Sequence, residues 1–281
     1  MIVKAYAKIN LGLHIVGKRT DGFHDIETIF HRIDLFDTLT LTENDSISVS
    51  VSTSDIPTEK ENLCWKAAML LQKELQLSHG VHIHIEKHIP VGAGLGGGSS
   101  DAAAVLQSLP QFWHQQIEEK SLKSLALQIG SDVPFFLGKH SAYGEGRGER
   151  LTYVSLDVPY WIVVVYPNIH VSTSWAYQAL SEKRNGTFPK RKTLGQKFSL
   201  SPLQSIVTAE NDFEEVVFEA YPEIGEIKKK FFEARAVHAL MSGSGSSVFG
   251  LFANESDARN AMKFFDRQYF VHLTEPHFTI A

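Results

Sequence analysis

A single cysteine, Cys64, is all the sulfhydryl chemistry the sequence holds, so no intramolecular disulfide can form and a reducing compartment is expected. Its neighbours Leu63 and Trp65 suggest a buried, inert thiol rather than a nucleophile. No run of about 18 apolar residues occurs, which excludes a membrane-spanning helix, and Met1 to Ala7 shows none of the features of a signal peptide. A cytoplasmic protein with no membrane partner is the expectation. A basic excess is also missing: 27 Lys and Arg face 32 Asp and Glu, which argues against nucleic acid as a partner. What is present, 281 residues with 43% hydrophobic content, is enough for one large or two moderate packed domains.

The glycines are concentrated. Within Pro90-Val91-Gly92-Ala93-Gly94-Leu95-Gly96-Gly97-Gly98-Ser99-Ser100, five glycines fall in seven residues, leaving a backbone free to take positive φ and to let a ligand approach its amides. Ser99 or Ser100 can N-cap an Ala-rich helix expected from about 101 to 109, which Pro110 would stop. Amides and macrodipole at such a helix start bind phosphate. The substring from Gly92 to Gly97 also satisfies a dinucleotide fingerprint. However, the preceding Val81-His82-Ile83-His84-Ile85-Glu86 alternates apolar and polar, unlike the doubly buried first strand of a parallel sheet. A Walker loop would end in Gly-Lys-Ser/Thr, and this one has no lysine. Excluding these leaves a phosphate loop of another type, with a flexible linker as its bland competitor.

From the start, Val3 to Val16 alternates as a strand, with Lys4, Tyr6, Lys8, Asn10 and His14 on one face. The pattern alone makes that face a solvated polar one. After a turn at 17–22 come Phe23-His24 and further strands over 26–33, 34–41 and 47–51. Then a helix with an apolar stripe is expected over 62–77 and another over 121–128, ending at Gly130. Asp132 stands directly before an apolar run, where local chemistry makes it an N-cap. The segment 144–149 is a glycine-spaced turn between strands, and a domain boundary is expected near Asp157-Val158-Pro159, giving domains 1–156 and 157–281. Beyond it, the sequence implies a buried strand at 161–167, a mobile exposed connection over 185–202, two helices in 211–236 punctuated by Pro222, and strands 237–241 and 247–252 joined by a Ser-Gly loop. A helix over 256–268 and a strand over 270–273 close an α+β half of ferredoxin-like sandwich type.

Taken together, Ala7-Lys8-Ile9-Asn10-Leu11, the loop 90–100, Gly130-Ser131-Asp132-Val133-Pro134 and Ser242-Gly243-Ser244-Gly245 resemble, in order and spacing, the GHMP kinases. Within that superfamily, Gly17-Lys18-Arg19-Thr20-Asp21-Gly22-Phe23-His24 resembles the branch that serves the non-mevalonate isoprenoid pathway. The resemblance covers essentially the whole chain. It implies a two-domain α+β fold, with an N-terminal ribosomal-protein-S5-like ATP domain and a C-terminal ferredoxin-like domain. It further implies ATP and Mg²⁺, and a small-molecule substrate carrying a cytidine diphosphate group and phosphorylated on a hydroxyl. By the same resemblance Asp132 is the catalytic base, Lys8 its partner, Pro90 to Ser100 the triphosphate loop, Phe23 and His24 the holders of the cytosine, and Asn10 a substrate contact. Tyr6, Phe23 and Ser131 depart from the residues usual there, and none of the three removes a group that phosphoryl transfer to an alcohol needs. The magnesium ligands are not legible. Two rivals remain at this stage: another small-molecule kinase of the superfamily, acting on mevalonate phosphate, homoserine or a sugar, and a silent nucleotide-binding regulator, which would be expected to lose Lys8 or Asp132.

Overall fold

The computed structural model describes residues 1–53, 56–188, 194–265 and 267–280. In chain order its elements are β1 (Ile2–Lys18), β2 (His24–Thr42), β3 (Ile47–Val51), α1 (Leu63–Glu74), β4 (Val81–Glu86), α2 (Gly97–Phe112) and α3 (Glu119–Ile129). A short 3-10 helix (Val133–Leu137) leads to β5 (Ser141–Gly146), β6 (Arg150–Val154) and β7 (Trp161–Tyr166). Helices α4 (Thr173–Lys183), α5 (Leu194–Leu200), α6 (Pro202–Val207), α7 (Glu214–Ala220) and α8 (Pro222–Glu233) precede β8 (His238–Met241), β9 (Val248–Phe252), α9 (Glu255–Lys263) and β10 (Phe270–Thr274). They form two compact units, the first made of 1–7, 35–91 and 96–139 and the second of the described residues of 8–34, 92–95 and 140–281.

In the first unit the C-terminal half of β2 pairs antiparallel with β4, Leu39 opposite Ile85, and β3 pairs parallel with β4, Val49 opposite Ile83. Val81, Ile83 and Ile85 are buried while His84 and Glu86 are exposed, so the alternation that argued against a doubly wound sheet marks a sheet with one open face. Helices α1 and α2 pack on each other beside it. Asn62 caps α1, its Oδ1 accepting from the amides of Cys64 at 2.8 Å and Trp65 at 3.4 Å. Cys64 is buried and burial pushes its thiol well up, as expected of an inert side chain.

Helix α2 differs from expectation at both ends. It starts at Gly97 and its N-cap is Gly96, at φ 72°, with no side chain capping it. Ser99 and Ser100 therefore lie inside the helix, and the Ser100 hydroxyl donates to the Tyr6 carbonyl at 2.7 Å instead. A left-handed glycine turns the chain into the helix earlier than a serine cap would. Pro110 does not stop the helix, because a proline in the last turn forfeits only one ladder bond and two more residues still wind.

In the second unit the N-terminal half of β2 pairs with β5, Phe30 opposite Ala142, and β5 with β6. A separate antiparallel sheet runs in the order β10, β7, β9, β8, which with the helix-rich connection after β7 and α9 before β10 is the ferredoxin-like arrangement. Its core holds Phe213, Phe231, Phe252 and Phe265. The expected exposed connection over 185–202 needs correction: residues 189–193 lie outside the described residues, but 194–200 form α5 with Leu194 and Phe198 buried. Those two apolar residues, four apart, share one helix face, a signal masked by the basic and Ser-rich residues around them. Helices α4 and α6 were likewise unanticipated. The polar face assigned to β1 is solvated only at its start, where Lys4 is exposed and Tyr6 half-buried; Lys8 is 3% exposed, Asn10 1%, and His14 is also buried.

Candidate active site

Burying an ammonium costs free energy unless it is hydrogen-bonded, so the surroundings of Lys8 explain how it is tolerated. Its Nζ donates to Asn10 Oδ1 at 2.7 Å and to the Gly94 carbonyl at 3.1 Å. The alternation of β1 puts Lys8 and Asn10 on one face, two residues apart, and Asn10 Nδ2 in turn donates to Thr28 Oγ1 at 2.7 Å. Thr28 donates onward to the Gly12 carbonyl at 2.7 Å. Lys8, expected as the partner of Asp132, and Asn10, expected as a substrate contact, are thus joined to each other.

The late Ser-Gly loop meets the same point. Ser242 Oγ donates to the Gly94 carbonyl at 2.9 Å and accepts from the Asn10 amide at 3.2 Å. Gly94 has φ 78°, and a Cβ there would lie 2.2 Å from the Ser242 carbonyl oxygen, so only glycine fits. Asn211, not anticipated from the sequence, holds the loop from behind: its Nδ2 donates to the carbonyls of Met241 at 2.7 Å and Gly243 at 2.8 Å. Its distance along the chain from that loop hid it; no local pattern marks a side chain whose role is to hold a loop thirty residues away.

The glycine stretch itself is shared. Gly92, Ala93, Gly94 and Leu95 belong to the second unit, whereas Pro90, Val91, Gly96, Gly97, Gly98, Ser99 and Ser100 belong to the first. In the first unit the uncapped start of α2 offers backbone N–H groups with no side-chain acceptor, which suits an anion. Asp132, also in the first unit, precedes the 3-10 helix, yet its side chain makes no cap hydrogen bond. The N-cap reading of that carboxylate therefore fails; Asp132 already has helical φ and ψ, unlike the extended backbone of a capping residue.

Phe23 and His24 part company. Phe23 is 52% exposed, with the Arg147 guanidinium 4.7 Å from its ring centroid. His24 is 8% exposed, stacks on Tyr177 at 4.6 Å and 14°, meets Phe188 edge-on at 5.4 Å, and shares a 3.1 Å hydrogen bond between Nε2 and Ser181 Oγ. Burial, and after it the charge of Lys18, lower the imidazole below its usual pKa, so the ring is neutral near pH 7. An exposed aromatic face beside a neutral, fixed imidazole can stack on a planar base and hydrogen-bond to its edge. Tyr177 and Ser181, on α4, complete this corner; Ser181 lies 157 residues along the chain from His24, and no local pattern links either of them to it.

Among the described residues no helix is long and apolar enough to cross a membrane, and no group of three or more His, Cys, Asp or Glu is placed to hold a metal ion.

Residues 62–139 match the GHMP kinases N terminal domain and residues 194–272 the GHMP kinases C terminal domain. A 4-diphosphocytidyl-2-C-methyl-D-erythritol kinase of Pelodictyon phaeoclathratiforme is 43% identical, covering 100% of this chain and 99% of that protein. One of Chlorobium phaeobacteroides strain BS1 is 44% identical over 99% of this chain and 98% of its own. The crystal structure of a 4-(cytidine 5'-diphospho)-2C-methyl-D-erythritol kinase, 33% identical, superposes with a TM-score of 0.81 over 98% of both chains. A buried lysine at a glycine loop, an uncapped helix start and likeness along the full length agree: the chain is a small-molecule kinase that belongs to the 4-diphosphocytidyl-2-C-methyl-D-erythritol kinase family of the GHMP kinases.

Proposed function

We propose that the protein transfers the γ-phosphoryl group of ATP to the 2-hydroxyl of 4-diphosphocytidyl-2-C-methyl-D-erythritol in the cytoplasm, with Asp132 as general base and Lys8 as its partner. The observation that carries the substrate is the full-length identity to relatives bearing that name; they do not favour mevalonate phosphate, homoserine or a sugar as acceptor. The division of labour follows the domains proposed at 1–156 and 157–281, since the two matched segments fall on either side of that boundary.

In the proposed reaction the Asp132 carboxylate takes the proton of the acceptor hydroxyl as its oxygen bonds to the γ-phosphorus. The bond from that phosphorus to the β,γ-bridging oxygen breaks and ADP leaves. The cation of Lys8 is assigned to the developing alkoxide. Residues Pro90 to Ser100, with the first amides of α2, hold the triphosphate and neutralise part of its charge. Phe23 stacks on the cytosine and His24 hydrogen-bonds to its edge. Asn10 is assigned as a substrate contact as well, and its Oδ1 also accepts from Lys8. The described residues do not fit a protein-built Mg²⁺ cage, so no residue is assigned to that ion.

The test is a phosphotransfer assay in which the cytidine diphosphate ester of methylerythritol competes with methylerythritol phosphate, homoserine and mevalonate phosphate. Preference for the cytidine ester is expected, and equal use of methylerythritol phosphate would remove the cytidine pocket from the reading. The loop is tested separately through Gly96→Val. Gly96 sits at φ 72°, where a β-branched residue is strained by about 1 to 3 kcal/mol, so affinity for ATP is expected to fall about tenfold with affinity for the cytidine ester retained. Equal loss for both ligands in equilibrium titrations would indicate misfolding instead.

A further inference from the structure

Behind the start of α2 lies a buried cluster of charge that the phosphotransfer reading leaves unused. Asp37, on β2, is wholly buried and accepts from the amides of His88 at 2.6 Å and Ile89 at 2.9 Å, and from the Lys87 ammonium. The same ammonium donates to Asp101 Oδ2 at 2.9 Å, in the second turn of α2. The side chains of Lys87 and Asp101 are 7% and 4% exposed. Gly97 closes over them: a Cβ there would lie 3.2 Å from Lys87 Nζ and 3.0 Å from Ile89 Cγ2. One ammonium therefore ties β2, the segment after β4 and the opening turns of α2 together.

Two carboxylates against one ammonium leave an excess negative charge, and Asp101 Oδ1 is buried without a hydrogen-bond partner. Among the described residues, the Cys64 thiol of α1 also faces the cluster. Burial pushes the Asp101 carboxyl up to about 8, the neighbouring Asp37 adding to this and Lys87 opposing it. Burial alone would lower the Lys87 ammonium, but Asp101 and Asp37 outweigh it and hold it raised. With Asp101 protonated the cluster is neutral. Once Asp101 ionises, a net negative charge sits behind the helix N-terminus and opposes its attraction for anions.

We infer that Lys87 is a positioning residue of the phosphate loop, clamping the opening turns of α2 through Asp37 and Asp101, and that the charge of Asp101 tunes how tightly those turns hold a triphosphate. This rests on the proposed assignment of the loop to ATP. The test is equilibrium titration of a non-hydrolysable ATP analogue and, separately, of the cytidine diphosphate ester, using the whole protein and the variants Asp101→Asn and Asp101→Leu. As pH rises through about 8, wild type is expected to lose about threefold to tenfold in affinity for the analogue and none for the ester. Asp101→Asn, which keeps the contact with Lys87 but cannot ionise, is expected to bind the analogue independently of pH across the same range. Asp101→Leu, which removes that contact, is expected to bind it more weakly at every pH. Ionisation of the analogue's own phosphate is common to all three proteins and cancels in the comparison. An asparagine variant that follows the wild-type pH curve, or a leucine variant that binds the analogue as tightly as wild type, overturns the inference. Wild type that binds no analogue at any pH overturns the loop assignment beneath it.

Discussion

Asp132→Asn is expected to lower kcat by about 10² to 10⁴ while leaving ATP binding nearly intact, because the amide has the shape of the carboxylate but cannot accept the proton. The structure sharpens this test. Asp132 occupies the position before the 3-10 helix without making a cap hydrogen bond, so the substitution removes no cap from that helix. A structural cap would give the reverse pattern, a stability loss of about 1 kcal/mol with activity retained. Activity within about threefold of wild type would remove Asp132 from the chemistry, since loss of a general base costs far more than that. Lys8→Met, which keeps the apolar stem and deletes the ammonium held by Asn10 and Gly94, is expected to reduce kcat comparably. A pure KM effect would instead make Lys8 a binding residue.

The second large effect is expected at the cytosine corner. Stacking of a base on an aromatic ring is worth about 1 to 3 kcal/mol, so Phe23→Ala should lower kcat/KM for the cytidine ester by roughly one to two decades. Phe23 is 52% exposed, which means the substitution removes little from the core and the melting temperature should barely move. His24→Ala should cost at least as much in kcat/KM, because the base edge it meets would be left unpaired. It should also lower stability somewhat, since His24 is buried against Tyr177 and Phe188. Comparing kcat/KM with melting curves for both variants separates recognition from folding. Unchanged kcat/KM for the cytidine ester in Phe23→Ala would end the stacking assignment.

Local sequence was sufficient wherever conformation depends on near neighbours. The alternation of 81–86 announced a half-open sheet, the glycines of 92–98 a loop of positive φ, and Asn62 the start of α1, because these rest on short-range sterics and on hydrogen bonds two or three residues away. The family was legible too, since its motifs are contiguous short stretches along the chain. Burial was not. The polar residues of β1 look solvated in any window of sequence, and only packing of the surrounding chain turns Lys8 and Asn10 into a desolvated, hydrogen-bonded pair. Likewise only the tertiary structure leaves Phe23 exposed and buries His24. Asp37, Lys87 and Asp101 lie 50 and 14 residues apart, as Gly94 and Ser242 lie 148 apart, and no periodicity links them. Such contacts are selected by the free energy of removing polar groups from water, which is set by whatever the whole chain brings alongside and not by the residues next in line.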